Sequence, residues 1–171
     1  MYYAGVGSEI VPNDYHELIK QFAMILSQNG YILRCGGELG TSDLFEIGCD
    51  SINGKKEVYL PWKKFNNKSS KRIVRMHDAF VIAKRHCADW SCLSPGVKKQ
   101  LARNVHKVLG GNLKFPSSFI LCYYSTREYD INVNHVLAIA NEYNIPVFNI
   151  GVYTDLNTCI DDFIQFVNSV N

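Results

Sequence analysis

Residues 34–46 constrain this chain most, because they join an apolar run to a helix through closely spaced glycines. The apolar segment 31–33 predicts a strand, and Gly36 and Gly37 follow it, with Gly40 three positions later. Glycine adopts a positive φ without strain and lets another group approach the backbone closely. The first amides of the next helix have no partner within that helix and favour an anion, most often a phosphate. The pattern predicts a strand–turn–helix unit that either cradles an anionic ligand or makes a sharp turn without one.

The N-terminal segment has the same design. Residues 2–6 predict a strand that ends at Gly7 and Ser8, and a helix predicted over about 15–29 ends at Gly30. Two strands therefore each end in glycine, with one helix between them. In an open parallel sheet, strand ends of this kind form the ligand crevice.

The rest of the chain alternates between predicted strands and predicted helices. Further strands are predicted over 56–60, 118–124 and 146–150. Further helices are predicted over 41–51, 73–86, 95–109, 132–143 and from 156 to 170. This order predicts one α/β domain over residues 1–171 with a Rossmann-like, doubly wound, mostly parallel sheet and a two-helix insertion at about 71–110.

Composition excludes some classes of partner. A formal charge of +2 over 171 residues gives no global basic field, although one segment is basic. Its cations are Lys63, Lys64, Lys68, Lys71, Arg72 and Arg75. They form either a solvated loop or a local phosphate-binding patch. No apolar stretch approaches the ~20 residues of a membrane span, and no leader is evident. We therefore expect no membrane partner.

The cysteines and histidines do not predict a metal site. His86, Cys87 and Cys92 lack a fourth ligand at a suitable spacing, so no metal is expected. The six cysteines form no CxxC pair, and several lie in apolar runs, which favours reduced thiols and a cytoplasmic location.

Six segments in order resemble the SLOG superfamily. They are residues 3–8, 33–37, 45–48, 57–62, 102–105 and 145–149. Within that superfamily the chain most resembles a compact, phage-type group that is similar to the Rossmann-like core of the DNA-processing protein DprA. The LOG-type phosphoribohydrolases are more distant. The resemblance covers roughly residues 2–151 and implies a ligand at the glycine-rich strand ends.

The glycine turns and the resemblance together indicate one ligand site. Its expected contacts are Gly5, Gly7, Ser8, Arg34, Gly36, Gly37, Glu38, Gly40, Thr41, Glu46, Trp62, Arg103, Asn104 and Asn132. Arg103 suits a phosphate or carboxylate because its guanidinium donates in a planar fork, although a surface salt bridge is the alternative. Trp62 is expected in a pocket wall or simply buried. No catalytic residue is identified, and no cofactor is expected beyond a nucleotide-derived ligand.

The chain departs from the pattern of its relatives within this site. Glu9 stands where the relatives carry Arg, Glu38 where they carry Ala, and residues 41–42 are Thr-Ser in place of Ala-Asp. Residues 131–133 are Ile-Asn-Val in place of Gly-Gly-Thr. These changes predict either a pocket with an altered ligand preference or a structural remnant of one.

The first of three candidate functions is binding of a nucleotide or nucleotide-derived small molecule without turnover. The resemblance implies that a phage protein of this kind sequesters a host immune nucleotide signal in the host cytoplasm, and that it assembles as a homo-oligomer. The hypothesis depends on the glycine turns, Trp62 and Arg103 meeting at one sheet edge.

The other two candidates also follow from the resemblance. The second is a DprA-like, single-stranded DNA-binding recombination mediator, in which the basic segment meets phosphates and tyrosines stack on bases. The candidate tyrosines are Tyr2, Tyr3, Tyr123, Tyr124 and Tyr129. The third is a phosphoribohydrolase-like enzyme. The Pro-Gly-Gly-x-Gly-Thr-x-x-Glu motif of those enzymes is missing, with Glu38 and Glu46 as weak replacements, so binding without turnover is favoured.

Overall fold

The computed structural model describes residues 1–125 and 130–170. Six parallel strands form its sheet: β1 (Tyr2–Gly7), β2 (Ile32–Cys35), β3 (Lys56–Leu60), β4 (Arg72–Ile73), β5 (Phe119–Tyr123) and β6 (Val147–Asn149). The α-helices are α1 (His16–Gln28), α2 (Thr41–Asp50), α3 (His77–Arg85), α4 (Pro95–Leu109), α5 (Ile131–Glu142) and α6 (Leu156–Ser169). Single 3₁₀ turns occupy residues 13–15, 65–67, 90–92 and 150–152.

The strands are arranged in the order β4-β3-β2-β1-β5-β6, so the direction in which successive strands are added to the sheet reverses between β1 and β5. The chain places β1 to β4 successively outward and then crosses back to set β5 on the free side of β1. The helices that follow β1 and β5 pack on opposite faces of the sheet, which opens a crevice between the two strand ends. The predicted α/β, doubly wound, Rossmann-like architecture is confirmed.

Alternation along each strand produces two separate cores. Tyr3 packs with α1, α2 and α6 on one face, whereas Ala4 and Val6 pack with α3, α4 and α5 on the other. A Cβ on Gly5 would lie 2.7 Å from Cδ2 of Phe45, so this glycine lets α2 sit close to β1. The result is a three-layer fold with the sheet in the middle.

The prediction of a helix from residue 73 to 86 is partly wrong. Its first residues form β4, in which Tyr59 pairs with Arg72 and Leu60 with Ile73, and the helix begins only at His77. A two-residue edge strand is too short to leave an alternating pattern, so Ile73 was counted in the helical period. Of the two helices predicted within residues 71–110, α4 belongs to the helix layer on one face of the sheet, where Leu101 is buried in the same core as Ala4 and Val6.

Candidate ligand-binding cleft

A cleft of about 270 Å³ lies where the strand order reverses. The loop after β1 lines it with Gly7 and Glu9, and the loop after β2 lines it with Glu38. Phe65 and Asn66 contribute from the segment between β3 and β4, and α4 and the start of α5 close the remaining sides. Ligands of open α/β sheets bind at this position, outside the carboxyl ends of the strands.

Two buried cations on α4 share one carboxylate at the base of this cleft. Arg103 and Lys107 are four residues apart, so their side chains project from the same face of the helix. Both side chains are 0% exposed. Oε1 of Glu38 lies 2.8 Å from Nη2 of Arg103 and 2.5 Å from Nζ of Lys107. Because a buried unpaired charge is very costly, Glu38 is the counter-charge that these cations require.

Arg103 joins three parts of the site. Its Nη1 donates to the carbonyl of Gly36 at 3.3 Å, and Nη2 lies 3.2 Å from Oδ1 of Asn104 and 3.4 Å from Oδ1 of Asn132. The guanidinium carbon lies 5.5 Å from the centre of the Phe65 ring, within the range of a cation–π contact. Arg103 therefore links the β2 loop, α4 and α5, together with the hydrogen bonds from Nδ2 of Asn104 to Asn132 and the ion pair between Lys107 and Glu38.

Gly36 leaves the space in which this ion pair sits. A Cβ at this position would lie 2.4 Å from Oε2 of Glu38 and 2.8 Å from Nε of Arg103. These two atoms are buried and have no hydrogen-bond partner within residues 1–125 and 130–170. A larger residue at this position would force one of the two charged side chains to move.

The charges of the cluster shift its pKa values. Burial acts to raise the pKa of Glu38, but the positive charges of Arg103 and Lys107 outweigh this and lower it to about 2. Burial lowers the pKa of Lys107 to about 8, although the charge of Glu38 opposes the shift. At neutral pH the cluster accordingly carries two positive charges and one negative charge.

The amino end of α2 is covered by the loop after β1. The amide of Thr41 donates to the carbonyl of Ser8 at 3.1 Å, and the Thr41 hydroxyl donates to the same oxygen at 2.8 Å. A Cβ on Gly40, whose φ is +73°, would lie 2.0 Å from the carbonyl oxygen of Glu9. This part of the glycine-rich turn is therefore packed against protein backbone.

The amino end of α5 is capped by its own chain. Oδ1 of Asp130 accepts hydrogen bonds from the amides of Asn132, at 2.8 Å, and Val133, at 3.2 Å. Such a side chain at the N-cap satisfies first-turn amides that otherwise attract an anion. Both helix ends at the cleft thus have partners for first-turn amides.

The structure brings together part of the predicted site. Four of the fourteen predicted contacts line the cleft: Gly7, Glu38, Arg103 and Asn132. Four others contact cleft-lining residues without lining the cleft themselves: Gly36, Gly37, Asn104 and Trp62. Trp62 is 37% exposed and does not line the cleft, whereas the sequence predicts that it is buried or forms part of a pocket wall. Three more form the packed junction at α2: Ser8, Gly40 and Thr41.

The remaining predicted contacts lie elsewhere. Gly5 lies inside β1 against Phe45. Nε of Arg34 donates to Glu57 at 3.0 Å, and Nη1 donates to the carbonyl of Phe115 at 2.6 Å. Arg34 is buried, and these bonds hold it away from the cleft. The position of Arg34 just before the glycine-rich turn therefore does not predict the direction of its side chain.

Glu46 is also committed to other partners, and these include part of the basic segment. Its two oxygens lie 3.1 Å from Nζ of Lys56 and 2.9 Å from Nζ of Lys68. Arg72 pairs with Glu57 at 2.8 Å. Two of the six predicted surface cations are thereby neutralised. The other four are exposed: Lys63, Lys64, Lys71 and Arg75.

Two of the five tyrosines proposed as stacking platforms cannot serve as such. Tyr3 is fully buried and Tyr123 is 7% exposed, because both belong to the core beneath α1, α2 and α6. Tyr2 and Tyr124 are half-buried. Tyr129 lies outside the described residues.

Sequence reasoning missed three important cleft residues. Lys107 follows Arg103 by one helical turn, and that spacing was an available signal. Asp130 directly precedes α5, as a capping residue does. Phe65 lies in a segment that reads as a polar loop, and nothing local in the sequence indicates that its ring meets Arg103.

Residues 1–125 and 130–170 contain no group of three or more His, Cys, Asp or Glu side chains placed to hold a metal ion. Nor does any helix in this part of the chain have the length and apolar character needed to cross a membrane.

The fold and the cleft define an α/β protein with a cleft at the point where the strand order of its parallel sheet reverses. No protein-family model matches the sequence, and no curated protein matches it. Among solved structures, DNA processing protein A from Helicobacter pylori is similar, with a TM-score of 0.56 over 87% of this chain and 14% identity. The chain spans 64% of the length of that structure. The likeness supports the expected DprA-like, Rossmann-like fold, whereas membership of the SLOG superfamily stays a prediction.

Proposed function

We propose that this protein binds a nucleotide-derived small molecule in the cleft and releases it unchanged. The main support is the position of the cleft, which opens where the strand order reverses beside β1. Its lining combines the Phe65 ring with charged and amide side chains, including Arg103 and Asn132. An aromatic ring beside a few polar groups suits a base joined to a sugar.

The volume of the cleft limits the size of the ligand that it can enclose. Its volume of about 270 Å³ lies just below the ~300–1,000 Å³ of sites that enclose drug-sized molecules. This favours one nucleoside or nucleotide unit. A cyclic dinucleotide or an ADP-ribose derivative would place part of its structure outside the cleft.

Among the described residues, two of the three carboxylates that line the cleft, those of Glu38 and Asp130, are poorly suited to proton transfer, and the third belongs to Glu9. A general acid or base works best when its pKa lies near the working pH. Glu38 is held at a pKa of about 2 because Arg103 and Lys107 outweigh the effect of burial. Asp130 already accepts two amides of α5. Binding without turnover is therefore the expected behaviour.

In a phage-encoded setting, such binding would sequester a host immune nucleotide signal. This extension draws on the resemblance to the SLOG superfamily and on the proposed absence of turnover. The expected homo-oligomer likewise stays a prediction. A groove lined by Met1, Ile25 and Ile164, all exposed apolar side chains, is one candidate surface for it.

Retention of a small molecule tests the proposal. Wild-type protein purified from cells is expected to carry one nucleotide-derived molecule per chain in native mass spectrometry. Protein incubated with nucleosides, nucleotides, cyclic dinucleotides and ADP-ribose derivatives should, after denaturation, release the bound compound intact. The released amount should match the protein and should not grow with time. Free base or ribose phosphate accumulating over many turnovers would contradict binding without chemistry.

A second candidate function is single-stranded DNA binding. It is favoured by the similarity to the Helicobacter pylori protein, whose structure concerns its single-stranded DNA binding mode. The four exposed cations of the basic segment, Lys63, Lys64, Lys71 and Arg75, give this chain a surface that suits phosphates. The burial of Tyr3 and Tyr123 removes two of the expected stacking faces.

This second function predicts a steep salt dependence. Each phosphate contact with a single strand contributes about 0.7 to the slope of log affinity against log salt concentration. Reversal of two charges, Lys63→Glu with Lys64→Glu, should weaken binding of a labelled oligonucleotide at least about tenfold, because it removes attraction and adds repulsion. The matched control reverses exposed Lys84 and Lys99 outside the segment. A flat salt response, or equal losses in both variants, would exclude binding through this patch.

A further inference from the structure

Glu38 occupies a position that a phosphate oxygen would suit. One carboxylate oxygen meets Nη2 of Arg103 at 2.8 Å and Nζ of Lys107 at 2.5 Å. Arginine and lysine side chains bind phosphate oxygens with the same charge-assisted geometry. The arrangement therefore resembles an anion site that already holds an anion from the protein itself.

The two cations are fixed more firmly than the carboxylate. Arg103 and Lys107 are fully buried on α4, whereas the side chain of Glu38 is 19% exposed and projects from a loop between Gly37 and Gly40. Within the described residues, Glu38 is the acidic side chain that forms an ion pair with either cation. Without it, Arg103 and Lys107 would lose the carboxylate that they share.

We propose that Arg103 and Lys107 form an anion subsite for a phosphate group, and that Glu38 fills this subsite in the wild-type protein. The inference deepens the proposed function, on which it depends for its biological meaning. Glu38 then sets the selectivity of the cleft, because an incoming phosphomonoester must displace a carboxylate that is also negatively charged. The wild-type cleft accordingly disfavours a phosphate at this point and accepts the uncharged part of a nucleoside.

Inorganic phosphate tests this directly. Glu38→Gln keeps the shape of the side chain and removes its charge, which leaves buried Arg103 without its counter-charge and removes the interaction that keeps the pKa of Lys107 from falling further. A ligand that binds only the folded state raises its stability. Phosphate should therefore raise the thermal unfolding midpoint of Glu38→Gln by about 3 °C or more beyond its effect on the wild type. Sodium chloride at equal ionic strength is the reference.

Two further variants keep the test decisive. Glu38→Asp retains the charge on a shorter side chain, so it should fold and show an intermediate response to phosphate even where Glu38→Gln does not fold. In Glu38→Gln with Lys107→Met, the loss of one cation should abolish most of the response. Equal phosphate responses in the wild type, Glu38→Gln and Glu38→Asp would overturn the subsite. Because the probe has no base or sugar, the outcome is separate from that of the retention experiment.

Discussion

Gly40→Ala is expected to destabilise the protein by roughly 3 kcal/mol, near the upper range for a single substitution. Gly40 has a φ of +73°, and an added Cβ would lie 2.0 Å from the carbonyl oxygen and 2.5 Å from the carbonyl carbon of Glu9. Both contacts are with backbone, so no side-chain rotation relieves them. The loop after β1 or the first turn of α2 must move instead.

Thermal or urea unfolding measures this effect. For a chain of this size, 3 kcal/mol corresponds to a fall of about 6–12 °C in the unfolding midpoint. Gly96→Ala is the matched control, because a Cβ there would meet its nearest neighbour at 3.8 Å and would lie in the first turn of α4. The control should unfold within about 1 kcal/mol of the wild type. A Gly40→Ala variant equally close to the wild type would show that the junction between Glu9 and α2 is not tightly packed.

The glycine turns illustrate what sequence could predict and what it could not. The sequence predicts that a ligand approaches Gly36, Gly37 and Gly40 closely, and in the structure each of them has a close neighbour within the protein. The approaching groups differ from the expected ligand, since the Leu60 side chain meets Gly37 and the backbone of Glu9 meets Gly40. Which group packs against a glycine depends on residues that are distant in the sequence, so the local spacing of glycines cannot predict it.

Helix ends were ambiguous for the same reason. The pattern around Thr41 predicts free amides at the start of α2, but the carbonyl of Ser8, thirty-three residues earlier, accepts from that threonine. At α5 the cap is local, and Asp130 was a readable signal. Long, strongly periodic elements such as α4 were predicted with correct ends, whereas the two-residue β4 was not.

Charged side chains divide along similar lines. Arg103 was expected at the site and lies in it, but Arg34 occupies an equally suggestive position and turns toward Glu57 instead. Burial does not distinguish the two arginines, since both are almost fully buried. What differs is the set of partners: Arg34 binds Glu57 and the carbonyl of Phe115, whereas Arg103 binds Glu38 and the carbonyl of Gly36.

Filling the cleft should remove ligand binding. Gln100 is half-buried on α4 and lines the cleft, so a tryptophan at this position would place a large ring in its space. Lys99 is the adjacent residue, is exposed, and lies about 100° around the helix, away from the cleft lining. Lys99→Trp thus adds the same ring to the same helix without entering the site.

Binding at the cleft is tested most directly by titrating wild type, Gln100→Trp and Lys99→Trp with the compound that purified wild-type protein retains. Calorimetry should show affinity at least tenfold lower for Gln100→Trp, a loss of about 1.4 kcal/mol or more. Lys99→Trp should remain within about twofold of the wild type, and all three should unfold cooperatively. If Gln100→Trp binds as tightly as Lys99→Trp, the ligand occupies another part of the molecule and the cleft is not its site.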